Sequence, residues 1–144
     1  HHHPMSDAAV LGLGRLTRAL IRGERPQAAQ ACIDALLRAE PRFRFDPYPG
    51  RASAFVVDTV QTVLHHWVRY PDPELALIAT VNRGDDADTT GALIGMLLGA
   101  RQGTAAFPGR WHQGLDPAVH AACRRKAQAL LALADPDYRM NWST

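Results

Sequence analysis

The sequence predicts an all-α fold, and three observations carry that expectation. Apolar residues recur at helical spacing through every long segment. No segment alternates apolar and polar residues long enough to make a strand. Helix-starting and helix-stopping residues stand at the ends of the periodic stretches. About six helices are expected, with loops between them.

The first helix is expected to start at Ser6, whose side chain can cap it, to carry Val10, Leu13, Leu16 and Leu20 inward, and to stop at Gly23. A second runs from about Pro26, a residue suited to a first helical turn, to Glu40, just before Pro41. Its inner face is Ala29, Cys32, Ile33, Leu36 and Leu37. Residues 41 to 50 hold Pro41, Pro47, Pro49 and Gly50, which forbid a regular helix and predict an ordered loop anchored by Phe43, Phe45 and Tyr48.

The third helix, about Ala52 to Tyr70, is the most apolar and is expected to be central. Val56, Val60, Val63 and Trp67 share one face, and Val57, Leu64 and Val68 another. Asp72-Pro73 supplies an N-cap and a first-turn proline for a short helix ending near Asn82. In the helix that follows, Gly91, Gly95 and Gly99 recur every four residues, a pattern that lets another backbone approach closely. Asp116-Pro117 repeats the cap-and-proline device for the last helix, which reaches about Asp135.

Composition bounds the function. With 47% hydrophobic and 21% charged residues the chain reads as an ordinary soluble globular protein. At 144 residues it is long enough for a real core. No repeat or linker divides it, so residues 1 to 144 read as one domain or part of one. The net charge is +2, and the basic residues cluster only at Arg15, Arg18 and Arg22 and at Arg124-Arg125-Lys126, which read as solvated helix faces and not as a nucleic-acid stripe. Cys32 and Cys123 fall inside helices among small apolar neighbours and predict no disulfide. The longest apolar run, Gly91 to Ala100, is too short to span a membrane, no signal peptide is visible, and the cytoplasm is the expected location. By composition alone His1-His2-His3 resembles the remnant of a purification tag.

The segment that carries chemistry is Asn82-Arg83-Gly84-Asp85-Asp86-Ala87-Asp88-Thr89-Thr90-Gly91, set between two strongly apolar helices. Carboxylates crowded between core helices repel one another and are costly to desolvate, so a buried site would need a cation or several donors to compensate. Asp86 and Asp88 flank one small residue and Thr89 follows, so two carboxylates and a hydroxyl can converge on a hard cation such as Mg²⁺ or Mn²⁺. Spacing alone leaves a second reading open, in which Asp88 only caps the helix and Asp85 and Asp86 face solvent. A calcium EF-hand loop is excluded, because its glutamate and ligand periodicity are absent.

The sequence resembles the ADP-ribosylglycohydrolase family. The likeness lies in Pro49-Gly50-Arg51-Ala52-Ser53-Ala54-Phe55-Val56-Val57-Asp58-Thr59-Val60-Gln61-Thr62-Val63, in Val81 to Gly84 and Asp86 to Ala92, and in Pro108, Trp111 and Leu115-Asp116. These stretches come in the family's order and spacing, and the resemblance as a whole covers roughly residues 1 to 133. The GDxDT-type element after a Val-Val-Asp-Thr helix is its most specific part.

The resemblance implies a helical protein about twice this long, whose C-terminal half corresponds to this chain. It implies two divalent cations, Mn²⁺ or Mg²⁺, for which Asp86, Asp88 and Thr89 are the candidate ligands. The family's N-terminal ligands, an acidic Thr-Asp-Asp-type element and a further glutamate, have no counterpart here, nor does its general base, so no catalytic residue is assigned. His1-His2-His3-Pro4 is similar to a His-x-His-Pro-like family segment, which makes the histidines native and His1 the candidate contact to ADP-ribose. Phe55 replaces an aromatic residue, often Tyr, that lines the nucleotide pocket. It keeps the ring for stacking and loses the hydroxyl. For Asp58 and Thr59 a hydrogen-bonding role and a ligand contact are both open. Asp85 stands where the family commonly has glycine.

The implied activity is metal-dependent hydrolysis of the N-glycosidic bond between ADP-ribose and a protein arginine, with release of ADP-ribose. The implied partner is an ADP-ribosylated protein, dinitrogenase reductase among the candidates. The alternative is a non-catalytic helical module that binds metal or ADP-ribose without turnover.

Overall fold

The computed structural model describes residues 3–134. Among them there is no strand, and the chain divides into two compact units, His1–Phe107 and Pro108–Thr144. The first holds α1 (Pro4–Ile21), α2 (Pro26–Ala39), a 3₁₀ turn (Pro41–Phe43), α3 (Val56–Arg69), α4 (Pro73–Val81), α5 (Ala87–Gln102) and a second 3₁₀ turn (Gly103–Ala106). The second holds α6 (Gly109–Gly114) and α7 (Pro117–Ala134). The all-α expectation is borne out, with α6 as the helix that periodicity did not reveal.

The first helix starts earlier than Ser6. His3 is its N-cap, its Nδ1 accepting the Met5 N–H at 3.2 Å, and Pro4 takes the first helical position, where a missing N–H costs nothing. The inward stripe is Met5, Ala9, Gly12, Leu13, Leu16 and Ala19, while Val10, expected inward, is 72% exposed. The stripe is set by the approach of α2: a Cβ on Gly12 would lie 2.6 Å from Leu36 Cδ1, so α1 turns its glycine and not Val10 toward its neighbour. On α2, Ile33 and Leu36 are buried and Ala29, Cys32 and Leu37 pack at the margin of the core.

Helix α3 begins at Val56, four residues after the expected Ala52. The backbone just before it is engaged elsewhere. Arg51 O accepts the Thr62 hydroxyl at 2.8 Å, and Ala52 O accepts the Asp86 N–H at 3.1 Å. From Val56 onward the helix packs on α1, α4 and α5 and buries Val57, Val60, Val63 and Leu64, as its apolar character predicts. Trp67 is half-buried, and Val68, expected on the second inner face, is exposed in the last turn.

The loop before α3 is strapped to it. Phe43 is fully buried and Phe45 packs against the core. Gln61 Nε2 donates to Arg42 O and Arg44 O, both at 2.8 Å. The Tyr48 hydroxyl meets Thr62 Oγ1 at 2.9 Å, and its ring stacks on His65 with centroids 4.4 Å apart. His66 lies beneath, its Nδ1 donating to Thr62 O at 2.8 Å, so that nitrogen carries the proton. Burial holds both His65 and His66 below the ordinary histidine range.

The remaining caps follow the sequence. Asp72 Oδ1 accepts the Leu75 N–H at 2.8 Å at the start of α4, and Asp116 Oδ1 accepts the Ala118 N–H at 2.7 Å at the start of α7. The expected end of α7 at Asp135 lies outside the described residues. The glycine stripe of α5 does not admit a neighbouring backbone. A Cβ on Gly91 would meet Val81 Cγ2 at 3.0 Å, one on Gly99 would meet the Phe107 ring at 3.7 Å, and one on Gly95 would meet nothing within 4 Å. Gly91 and Gly99 therefore make room for side chains, and Gly95 faces open space. Both cysteines are free, Cys32 half-buried and Cys123 exposed in place of the packed position expected for it. Among the described residues no helix is long and apolar enough to cross a membrane.

Removing the Gln61 amide leaves two loop carbonyls without their donor. Gln61→Ala is expected to lower stability by about 1–3 kcal/mol, read as a fall in urea midpoint at unchanged slope. An unchanged midpoint would show that the strap contributes nothing to folding.

Candidate metal and nucleotide site

Helix α4 ends at Val81, and the chain turns sharply to start α5 at Ala87. Two successive residues adopt positive φ, Gly84 at 74° and Asp85 at 50°. The turn is held from outside. Arg83 Nη2 donates to Gly50 O at 2.5 Å, its guanidinium carbon lies 5.4 Å from the centre of the Tyr48 ring, and Asp86 N–H donates to Ala52 O. These contacts bring the acidic turn beside the segment that leads into α3.

Asp86 is the N-cap of α5, yet its carboxylate makes no capping bond. It accepts instead the Thr89 hydroxyl, Oγ1 to Oδ1, at 2.9 Å. Its main-chain carbonyl accepts both the Thr90 N–H and the Thr90 hydroxyl, each at 3.0 Å, and Thr90 is fully buried. Asp88 lies in the first turn of α5, inside the helix, so the reading in which it caps that helix is wrong. Its place in the first turn is one where the positive end of the helix dipole favours a carboxylate.

The burial expected of this segment is not found. Asp86 is half-buried, and Asp85, Asp88 and Thr89 are exposed. Within the described residues the carboxylates keep their water, so desolvation by itself does not demand a cation. What the structure brings together is Asp86 with Thr89, with Asp88 one residue before it. All are hard oxygen donors, of the kind that Mg²⁺ and Mn²⁺ prefer. The donor set fits such an ion in part, because among the described residues no group of three or more His, Cys, Asp or Glu side chains is placed to hold a metal.

Phe55 is the N-cap of α3 and is 52% exposed, which suits a stacking surface. His1 lies outside the described residues; of the N-terminal histidines, His3 is the described one, and it caps α1. Sequence reasoning missed Arg83, Gly50, Ala52 and Ser53 as parts of this site. All four stand inside the family-like stretches, but the Arg83 bond to Gly50 crosses 33 residues and leaves no local spacing signal.

Asp85 has the conformation that glycine adopts without strain, which accounts for the glycine that the resemblance implies there. Asp85→Gly is expected to keep or raise stability by up to about 1 kcal/mol, whereas the β-branched Asp85→Val loses about 1–2 kcal/mol. Chemical denaturation of both variants checks this, and a destabilised Asp85→Gly would contradict it.

The comparisons with known proteins agree with the motifs. The family model described as ADP-ribosylglycohydrolase matches residues 1–140. The chain is 47% identical over 137 residues to the ADP-ribosyl-[dinitrogen reductase] glycohydrolase of Rhodospirillum rubrum. That match covers 95% of this chain and 47% of the relative, so the chain spans about half of the relative's length. On the family match and this identity, the chain belongs to the ADP-ribosylglycohydrolase family.

Proposed function

We propose that this chain contributes the Asp86–Asp88–Thr89 metal ligands and the nucleotide-stacking Phe55 of an enzyme that hydrolyses the N-glycosidic bond of ADP-ribosyl-arginine on a protein. Dinitrogenase reductase is the proposed protein substrate, since the relative's name gives dinitrogen reductase as what that protein acts on. The observation that carries the reading is the Asp86 carboxylate. At an N-cap it would ordinarily accept a backbone N–H, and here it is turned to the Thr89 hydroxyl, leaving a carboxylate oxygen and a hydroxyl oxygen side by side at the surface.

Two divalent cations, Mn²⁺ or Mg²⁺, would supply positive charge that orients the ribose hydroxyls and eases ionisation of a water near the anomeric carbon. Asp86, Asp88 and Thr89 would hold them from this side, with the α5 terminus fixing the carboxylates. Phe55 would stack on the adenine, and His1 would lie against the ADP-ribose. The general base and the remaining ligands belong to the other half of a family-length protein, and the reaction is assigned to the cytoplasm.

Residues 1–144 are accordingly read as a single partial domain, the C-terminal half of the family fold. An open groove of about 410 Å³ supports this. It runs between α1, α3 and α5, is lined by Val10, Leu13, Val56, Val60, Leu93 and Met96, and leaves Val10 and Met96 exposed. An apolar surface of this kind calls for a covering layer.

One assay separates the alternatives. ADP-ribose release from an ADP-ribosylated arginine protein is followed at limiting Mn²⁺ with the intact protein, its Asp86→Ala and Asp88→Ala variants, and residues 1–144 alone. Both variants are expected to lose more than the roughly 10–100-fold that follows removal of a group merely supporting a metal ligand, and the isolated chain to be silent. Unchanged turnover in either variant would remove the ligand assignment. Metal-dependent release by residues 1–144 would place the whole catalytic machinery in this chain. Mn²⁺ binding by the intact protein without release would favour the non-catalytic module.

A further inference from the structure

Helix α3 poses a problem at its first residue. Its N-cap is Phe55, which has no polar side chain to accept an orphan backbone N–H, and no side-chain cap is made there. In a capping box, the acidic residue at the third helical position reaches back to the N-cap N–H. Here that position is Asp58, and the return bond is relayed. Ser53 Oγ donates to Asp58 Oδ2 at 2.6 Å and accepts the Phe55 N–H at 3.2 Å.

The other side of the Phe55 peptide is gripped as well. Phe55 O accepts the Thr59 N–H at 3.0 Å, and Thr59 Oγ1 lies 3.2 Å from Phe55 O and 3.3 Å from Ser53 O, a hydroxyl shared between two carbonyls. Thr59 is buried, and Ser53 and Asp58 are half-buried. The N–H and C=O of one residue are thus both fixed by three polar side chains, while that residue remains about half exposed. A helix that needed only a cap would place Ser, Thr, Asp or Asn at this position. The relay instead moves the capping groups to neighbouring positions and leaves the N-cap free for an aromatic ring.

We propose that Ser53, Asp58 and Thr59 are positioning residues that hold the Phe55 ring in place for stacking on the adenine of ADP-ribose. The proposal rests on the reading of Phe55 given above. The three residues touch neither nucleotide nor metal. They act through Phe55, by fixing its backbone at both sides of the ring.

A double-mutant cycle on the intact protein tests this, with ADP-ribose binding measured by calorimetry and KM and kcat measured alongside. Phe55→Ala is expected to weaken ADP-ribose binding by about fivefold, the low end for one stacked base. Ser53→Ala and Asp58→Ala are each expected to approach that loss, with KM rising more than kcat falls. Ser53→Thr, which keeps the hydroxyl, should retain affinity. In the Phe55→Ala background, Ser53→Ala and Asp58→Ala should cause no further loss. Ser53→Ala removes a single oxygen and keeps the test available where Asp58→Ala fails to fold.

Additive losses would mean that Ser53 or Asp58 contacts the ligand directly and would overturn the proposal. A loss of stability with unchanged ADP-ribose affinity would reduce the relay to a helix cap and would overturn it too. An unchanged affinity in Phe55→Ala would remove the stacking reading and the proposal together, an outcome distinct from the other two.

Discussion

A single main-chain hydrogen bond, from Asp86 N–H to Ala52 O at 3.1 Å, joins the two stretches on which the candidate site depends. Alone it is worth on the order of 1 kcal/mol. Its weight is geometric, because Asp86 opens α5 and Ala52 leads into α3, and fixing one fixes the other. Arg83 repeats the link by reaching Gly50 O and lying over Tyr48, and Tyr48 is in turn held by Thr62 and His65 of α3. The acidic turn and the aromatic N-cap are therefore parts of one braced surface.

Behind that surface the packing is tight. Thr62, Val63 and Leu64 of α3 and Thr90, Ile94 and Leu97 of α5 are fully buried, α3 packs on α5, and Thr90 is tied by both its N–H and its hydroxyl to the carbonyl of Asp86. The candidate ligands sit in the first turn of a helix whose next turns belong to the core, so their backbone has little freedom to drift. That arrangement suits a site in which oxygen atoms must hold position while remaining open to solvent and ligand. It also separates the tasks: Asp86 uses its main chain for structure and leaves its carboxylate to the Thr89 hydroxyl and to the proposed cation.

How much of this was legible in the sequence depends on the reach of the forces involved. Asp72-Pro73 and Asp116-Pro117 were readable because cap and proline act within one turn, and the apolar faces of α2 and α3 were readable because burial follows helical period. Helix α3 started late because the bonds that hold residues 51 and 52 come from Thr62 and Asp86, positions that no local pattern connects to them. Val10 was misplaced because Gly12, a residue without a side chain, decides which face of α1 meets Leu36. The six-residue α6 is too short to show a period. In the site, spacing offered Asp86, Asp88 and Thr89 as ligands beside a capping reading, the family resemblance favoured the ligands, and Phe55 came from the resemblance alone. Exposure of the acidic turn was not readable, since it depends on what covers the turn. Nor was the Ser53 relay, because a capping box split across an extra residue has no sequence signature of its own.

The central claim is that the acidic turn is a half-site for a hard divalent cation. The direct measurement is an anomalous-scattering map, at the manganese edge, from crystals of the intact protein grown with Mn²⁺. The account predicts a peak at about 2.0–2.3 Å from oxygen atoms of Asp86, Asp88 and Thr89, the range for small hard cations on oxygen ligands. Bound manganese with no peak at these residues would contradict it.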